Sequence, residues 1–337
     1  MAKKKSEEGA SKKINEILLD ESLLTALKIL NDKYGEGTAI IGAYAPKNLE
    51  VISTSSLALD DAIGVGGIPK GSIVEIYGPE MSGKTTLAIH MLAEAQKQGN
   101  VVAIIDMEHG MEMEYAEALG LDSNFVIFSQ PGTGEEALTI ADTLIKTGKI
   151  GMLVIDSVAA LVPEAELESK VEDQHVGRQA RMMSAFLRRI QPIVGNTKTI
   201  LIFINQLREK IGTYGNPETT PGGRALKFYS KIRIDLRAID KIMENGVQVG
   251  SVVRAKIVKN KYNPPYKVAE FDLIYGKGID KISEIISLAI TRGILRRGGS
   301  WYFMGEEKIA QGREALREYL ENNPEMVKKI LEGLGYD

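Results

Sequence analysis

The run Gly78-Pro79-Glu80-Met81-Ser82-Gly83-Lys84-Thr85 decides how this chain is read. It is a complete G-x-x-x-x-G-K-[ST] phosphate loop, delivered by the apolar run Ile73 to Tyr77 and followed by a helix-compatible stretch, Thr86 to Gln98. A strand that hands a glycine-rich turn to a helix N-terminus aims backbone N–H groups and the helix dipole at phosphate oxygens. The cradle is expected to run from Gly78 through Thr86. Lys84 would reach the terminal phosphates, and the Thr85 hydroxyl would ligate Mg²⁺. A glycine turn ahead of an ordinary helix has no need of all four fixed positions in this context. The chain is expected to bind a nucleoside triphosphate.

Composition narrows the setting. The 337 residues allow one large domain with smaller appendages. The 44% hydrophobic and 26% charged content is that of an ordinary globular protein. No apolar run approaches the roughly 18 residues that a membrane span requires. The start, Met1-Ala2-Lys3-Lys4-Lys5-Ser6-Glu7-Glu8, lacks the apolar core of a signal peptide. With no cysteine, disulfides and thiolate metal sites are excluded, and a cytoplasmic location is expected. His90, His109 and His175 are too scattered for metal-ligand spacing. A net charge of −3 means that any nucleic-acid binding must come from local basic loops.

Around the phosphate loop the periodicity is that of an α/β protein. Apolar runs at Ile73–Tyr77, Val101–Ile105, Phe125–Phe128, Met152–Ile155 and Ile200–Ile204 alternate with helical stretches near Leu87–Gln98, Glu112–Leu119, Glu135–Lys146 and Gly177–Ile190. This predicts a mostly parallel sheet covered on both faces. Upstream, apolar spacing from Ile14 to Tyr34 predicts a helix, followed by a short extended piece at Thr38–Gly42. Downstream, Lys231–Leu236, Ser251–Val258 and Val268–Tyr275 read as strands, with Asn245-Gly246 suited to a hairpin turn. A compact tail from about Lys281 reads as a helix, a strand at Trp301-Tyr302-Phe303 and two more helices.

Three strand ends present polar groups on one edge of the sheet, where ligands of open α/β folds bind. Met152-Leu153-Val154-Ile155-Asp156 ends in an acid, the pattern that holds Mg²⁺ opposite Thr85. Val101–Ile105 leads into Asp106-Met107-Glu108, and either carboxylate could position the attacking water. The third end is Asn205-Gln206, before a long loop from Leu207 to Gly223 that carries Arg208, Lys210, Tyr214, Gly222 and Gly223, with Arg224 just beyond. Basic residues and an aromatic among glycines suit a strand that tracks phosphates and stacks on bases. A second glycine-marked loop, Glu168 to Gly177, contains Val176 and leads into Arg178 and Arg181. Lys259-Asn260-Lys261 supplies two cations near the end of a late strand.

Together these segments resemble the bacterial RecA recombinase family over nearly the whole chain. The resemblance is carried by Ala225-Leu226-Lys227-Phe228-Tyr229-Ser230-Lys231-Ile232-Arg233, and also by Asp156-Ser157-Val158-Ala159-Ala160-Leu161, Phe203-Ile204-Asn205-Gln206, Asn216-Pro217-Glu218-Thr219-Thr220 and Lys259-Asn260-Lys261. It implies a P-loop RecA-like core with a central mostly parallel sheet flanked by helices at 46–280. A polymerisation arm at 1–45 and a small α+β C-terminal domain at 281–337 would flank it. It implies a DNA-dependent ATPase that forms filaments on single-stranded DNA and catalyses pairing and strand exchange in recombinational repair. A co-protease role toward a LexA-type repressor in the SOS response follows from the same resemblance, and a ring-shaped helicase is the competing enzyme reading.

The resemblance selects Glu108 over Asp106 as the catalytic carboxylate and makes Gln206 the γ-phosphate sensor. It makes Lys259 and Lys261 a pair that reaches a neighbouring subunit's ATP. Tyr115 would stack on adenine and Tyr275 would touch that nucleotide across the interface. Arg181, Arg208 and Lys210 would face DNA, and Arg296, Arg297, Lys308 and Arg313 would meet incoming duplex. Gly110-Met111-Glu112-Met113 stands where many members have Ala-Leu-Asp-Pro, and Ser55 replaces a common glycine. Tyr214 and Val176 stand where other members carry a different wedge beside the bases.

Overall fold

The computed structural model describes residues 17–18, 20–34, 39, 49–168, 177–209 and 218–336. Of the candidate site residues above, Val176, Lys210 and Tyr214 lie outside the described set, as do His175, Asn216 and Pro217 and the Thr38–Gly42 piece apart from Ala39. The chain divides into two units, 1–49 and 50–337. The first contributes the helix Glu21–Tyr34, whose Leu24, Ile29 and Leu30 are exposed.

The second unit is built on a large sheet. Short strands β1 (Val51–Ile52) and β2 (Ile68–Pro69) pair with each other beside it. The sheet proper takes β3 (Ile73–Gly78), β4 (Val101–Asp106), β5 (Val126–Ser129), β6 (Ile150–Asp156) and β7 (Ile200–Gln206). After a two-strand stub, β8 (Arg208–Glu209) with β9 (Glu218–Thr219), it adds β10 (Ile232–Glu244), β11 (Val247–Asn260), β12 (Val268–Ile274) and β13 (Gly278–Ile279). The order is β13-β12-β11-β10-β3-β7-β6-β4-β5. From β10 to β5 every pairing is parallel, and from β10 outward to β13 every pairing is antiparallel.

The parallel strands are apolar without alternation because helices cover both faces. Ile76, Leu87, Met91, Ile104 and Ile202 fill one side; Ile105, Leu153, Phe186, Leu187 and Phe203 fill the other. The antiparallel strands alternate instead: in β12 the pattern is exposed, buried, exposed, buried from Val268 to Phe271. Asn245 and Gly246 both take positive φ, 50° and 81°, which is the geometry of a tight turn matched to the twist of the hairpin.

One helix runs further than its sequence suggests. The reading above stops at Ile190, ahead of Pro192, yet the helix spans Arg178–Thr197 with the proline inside. Ile190 and Val194 are buried on either side of Pro192, so core packing holds the helix together across the missing N–H.

The C-terminal part has its own core. Helix Lys281–Thr291, a three-stranded antiparallel sheet of β14 (Leu295–Gly298), β15 (Trp301–Met304) and β16 (Glu307–Gln311), and helices Arg313–Glu321 and Pro324–Leu334 enclose Ile286, Leu316, Leu320 and Ile330. Glu284 joins it to the rest: its carboxylate accepts from the Ser56 hydroxyl and from the backbone of Leu57 and Ala58, 2.9 and 3.0 Å, at the start of helix Leu57–Ile63. Burial raises that carboxyl above the ordinary range, and these donors oppose the shift.

Candidate active site and DNA-facing loops

β3 ends at Gly78, and the phosphate loop turns from there into the helix Lys84–Lys97. A Cβ on Gly78 would sit 2.0 Å from the Leu236 carbonyl oxygen, so only glycine fits beside β10. Gly83 caps the helix at φ 87°, a conformation that favours a residue without Cβ. Lys84 Nζ donates to the Pro79 carbonyl at 2.6 Å, and Ser82 Oγ to the same oxygen at 2.9 Å. Burial lowers the Lys84 amine below the usual lysine range, while the carboxylates of Asp156, Glu108 and Glu80 act against that shift.

The end of β6 meets the loop. Thr85 Oγ1 donates to Asp156 Oδ2 at 2.6 Å. Burial pushes the Asp156 carboxyl up to about 6 against that hydrogen bond. A hydroxyl and a carboxylate side by side form an oxygen donor set suited to Mg²⁺. Among the described residues no three His, Cys, Asp or Glu side chains gather into a metal cage. A cation here would therefore draw its remaining ligands from phosphate oxygens and water, as Mg²⁺ commonly does.

Geometry separates the two carboxylates after β4. Asp106 is buried and fully engaged, accepting from the backbone of Glu108 and Met111, both at 3.1 Å, and from Gln130 Nε2 at 3.0 Å. It shapes the turn. Glu108 faces the cleft, where Oε1 accepts from Gln206 Nε2 at 2.9 Å and from the Ser157 hydroxyl. The cleft, about 350 Å³, is lined by Glu80 through Thr86 together with Glu108, Asp156 and Gln206. Beside it, the Tyr115 hydroxyl bonds to Thr86 Oγ1 at 2.8 Å.

Tyr275 follows β12 and stands on this same rim, because β12 is antiparallel to β11 and Ile274 pairs with Gly250 beyond the end of β3. Leu273, two residues earlier, approaches Gly83 closely enough that a Cβ there would clash at 2.6 Å. The Tyr275 hydroxyl accepts from Gln248 at 2.7 Å. It is thus near its own chain's phosphate loop.

Lys259 and Lys261 occupy the opposite rim. Arg233 pairs with both Lys259 and Glu75, and the Lys261 N–H bonds to Lys231 beside Ile73, the first residue of β3. At about 3.3 Å per residue along β3, the level of Lys261 is roughly 15 Å from the end of the strand that carries the loop, and the level of Lys259, beside Glu75, roughly 10 Å. Lys259 Nζ donates to the carbonyls of Lys227 and Phe228, 2.8 and 2.7 Å, and the Phe228 side chain is 77% exposed.

The roots of the two long loops come together. Arg208 and Glu209 pair with Thr219 and Glu218, and Arg237 grips Glu218 through two bonds of 3.0 and 2.6 Å. Gln179 donates to the carbonyls of Val158 and Leu161 and accepts from the Gly222 N–H, so one amide joins the exit of the first loop to the return of the second. Gly222 and Gly223 have positive φ, and a Cβ on Gly223 would meet Ala180 at 2.8 Å. Their requirement is close packing. Arg181, Arg208 and Arg224 are exposed, as is Gly177, and a cleft of about 490 Å³ lies between the loop roots with the buried Thr220 hydroxyl on its wall.

On the C-terminal sheet Arg296 stacks over Phe303 at 4.8 Å and Lys308 over Trp301 at 3.4 Å, with Arg296, Phe303 and Lys308 side by side in register. Arg313 differs. It is spent internally, donating to the Ser283 carbonyl and to the hydroxyls of Ser283 and Ser287.

Sequence reasoning missed Ser157, Gln130 and Gln179 as partners of the site, and it missed Glu75 with Arg233. The last pair had a legible signal, a lone carboxylate inside the apolar run Ile73–Tyr77. The others are ordinary polar residues whose partners are distant in sequence.

Comparison with known proteins agrees with this geometry. The family model described as the RecA N-terminal domain matches residues 21–280, and the RecA C-terminal domain matches 283–334. The chain is 52% identical over 313 residues to Protein RecA of Lactobacillus acidophilus, covering 92% of this chain and 86% of that one. It is 50% identical over 318 residues to Protein RecA of Mesoplasma florum, covering 94% and 96%, and 49% identical over 313 residues to that of Heliobacterium modesticaldum, covering 92% and 90%. With a phosphate loop, an acid-tipped neighbouring strand and both domain models in order along one sequence, this chain belongs to the RecA family, the DNA-dependent ATPases of recombination and DNA repair.

Proposed function

We propose that ATP is hydrolysed at the carboxyl rim, with Glu108 as the base for the attacking water and Gln206 as the group that reports the γ-phosphate. The observation that carries this reading is the Glu108 carboxylate held by Gln206 at the mouth of the Lys84, Thr85 and Asp156 cleft. Thr85 and Asp156 would hold Mg²⁺, which when bound neutralises charge developing on the phosphate oxygens. Glu108 takes the proton from water, Lys84 offsets negative charge on the transferred phosphoryl group, and the Gly78–Thr86 backbone orients it. Tyr115 and Tyr275 contact the base.

Gln206 has one amide and two claimants. With the γ-phosphate present it leaves Glu108, freeing the base, and the movement enters the second loop through Leu207 and Arg208. Lys259 and Lys261 serve the nucleotide of a neighbouring protomer, and the rim they occupy supports that reading. Successive protomers then form a helical filament, with the arm at 1–45, the core at 46–280 and the C-terminal domain at 281–337. Arg181, Arg208, Lys210 and Arg224 bind single-stranded DNA through phosphates, while Val176 and Tyr214 lie against bases, Gly177 allows close approach, and Gly222 and Gly223 seat the return of the second loop. Double-stranded DNA meets the Arg296, Arg297 and Lys308 face. The assembled filament, in the cytoplasm, also presents a surface to a LexA-type repressor.

The test is ATP hydrolysis with and without single-stranded DNA over a salt series, for the natural chain and for Glu108→Gln. Stimulation that fades with salt, and that Glu108→Gln abolishes while DNA binding persists, is the expected result. Hydrolysis indifferent to DNA would remove the coupling through Gln206. A closed ring in electron micrographs, in place of a filament, would favour a hexameric motor.

A further inference from the structure

Glu75 is the charged residue of β3 and is fully buried. Its two oxygens point to two different strands. Oε2 accepts from Arg233 Nε on β10 at 2.5 Å, and Oε1 accepts from Asn205 Nδ2 on β7 at 3.0 Å. The Asn205 amide nitrogen also reaches the Pro221 carbonyl at 3.1 Å, on the return of the second loop, and its oxygen accepts from the Gln206 N–H at 3.0 Å. At the other end Arg233 lies over the Tyr77 ring at 4.7 Å and sits directly opposite Lys259 in the β10–β11 register.

This chain of bonds runs through the sheet from the rim that carries Lys259 to the residue that holds Glu108. None of its three members lines the nucleotide cleft. A buried ion pair is a weak source of stability compared with apolar side chains of the same volume, so packing alone does not account for it. Its geometry is that of a rigid spacer: a planar guanidinium, a carboxylate with both oxygens engaged and an amide using both ends.

We propose that Arg233, Glu75 and Asn205 are positioning residues that couple the neighbour-facing rim to Gln206 and the second loop. The inference rests on the reading of Gln206 and Lys259 given above. When Lys259 leaves the Phe228 carbonyl for a neighbour's phosphates, Arg233 faces a changed field, and the Glu75–Asn205 bond passes the shift to the Gln206 backbone and to Pro221. Coupling of this kind is reciprocal, so DNA on the second loop tightens the hold on the neighbour's nucleotide.

The experiment measures single-stranded DNA affinity of the full chain in the presence of a non-hydrolysable ATP analogue and of ADP, for the natural protein, Glu75→Gln and Arg233→Lys. The ratio of the two affinities is the readout. A coupling residue collapses the ratio toward one, a change of about 5- to 150-fold, while binding of a fluorescent ATP analogue without DNA stays within about twofold. A structural residue lowers both DNA affinities together and leaves the ratio intact, and that result overturns the relay. Should Glu75→Gln fail to fold, Arg233→Lys, which keeps the buried charge and loses the fork, carries the same test. If the natural chain itself shows no difference between the two nucleotides, the Gln206 reading fails first, and this is seen before any variant is made.

Discussion

At the carboxyl rim of the sheet, Glu108, Gln206, Ser157, Thr85 and Asp156 satisfy one another within a single chain. At the opposite rim Lys259 leans on backbone carbonyls, and Phe228 stands exposed beside it. Burial lowers the Lys259 amine below the usual lysine range, with Lys261 and Arg233 adding to the shift against the carboxylate of Glu75. One rim joins its polar side chains to one another; the other rests a lysine on backbone carbonyls beside an exposed aromatic ring. The difference teaches where the unit of function lies. The separation of the two rims is what supports the proposal that each nucleotide is shared with the next copy, the phosphate loop of one chain meeting the lysines of another.

The largest effect should come from the carboxyl rim. Glu108→Gln removes the base but keeps an oxygen near Gln206 and Ser157, and hydrolysis in the presence of DNA should fall by about 10²–10⁴-fold. Nucleotide binding, followed with a fluorescent analogue, should be nearly unchanged. Loss of binding in step with hydrolysis would mean that Glu108 supports the cleft and does no chemistry.

The opposite rim is broken by Lys259→Ala with Lys261→Ala, for which a loss of about 10²–10³-fold is expected, the scale for removing a preorganised electrostatic donor. Mixing sharpens the comparison. Filaments made from this variant and Glu108→Gln should regain hydrolysis, because one supplies intact lysines and the other an intact base. If the lysines worked within their own chain, the mixture would stay inactive.

A third prediction concerns what lies beneath the carboxyl rim. His90, on the helix that follows the phosphate loop, accepts the Ile279 N–H at 3.0 Å and is buried. Burial lowers its imidazole from 6.5 to about 4, with Lys281 adding to the effect. The unfolded chain therefore takes up the proton first, and stability must fall as pH drops from about 6.5 toward 4. The full contribution is on the order of 3 kcal/mol. Denaturant melts at pH 7 and pH 4.5 should show a smaller acid loss for His90→Gln, which keeps an acceptor and does not titrate. An equal loss in both proteins would assign the acid sensitivity elsewhere.

The smallest effect belongs to the loop roots. Arg208→Ala should weaken single-stranded DNA binding evenly across sequences and reduce the slope of log affinity against log salt by about 1. An unchanged slope would place Arg208 off the phosphate track.

Much of this was legible without coordinates. Glycine spacing, an apolar strand before it and a helix after it define the phosphate loop locally, and the apolar runs between Ile73 and Ile204, interrupted only by Glu75 in the first, announce a parallel sheet with covered faces. Less legible was the choice between Asp106 and Glu108. They are two residues apart on one strand end, and only the positions of Gln130, Ser157 and Gln206 separate a saturated structural carboxylate from one that faces the cleft. The continuation of the helix from Ile190 to Thr197 was hidden for a related reason: Ile190 and Val194 are buried in the core, and that packing carries the helix through Pro192. Arg313 looked like a surface cation and is held by Ser283 and Ser287, which its own neighbours in sequence do not reveal.

By itself, then, the sequence determined the kind of chemistry and the fold that presents it, since phosphate binding by backbone and sheet burial by periodicity depend on residues close together in the chain. The tertiary structure decided which of several carboxylates, lysines and arginines line the cleft, stand on the opposite rim or hold one another. Those choices turn on partners brought from distant strands, and so on the strand order β10-β3-β7 that sets Arg233, Glu75 and Asn205 in one line.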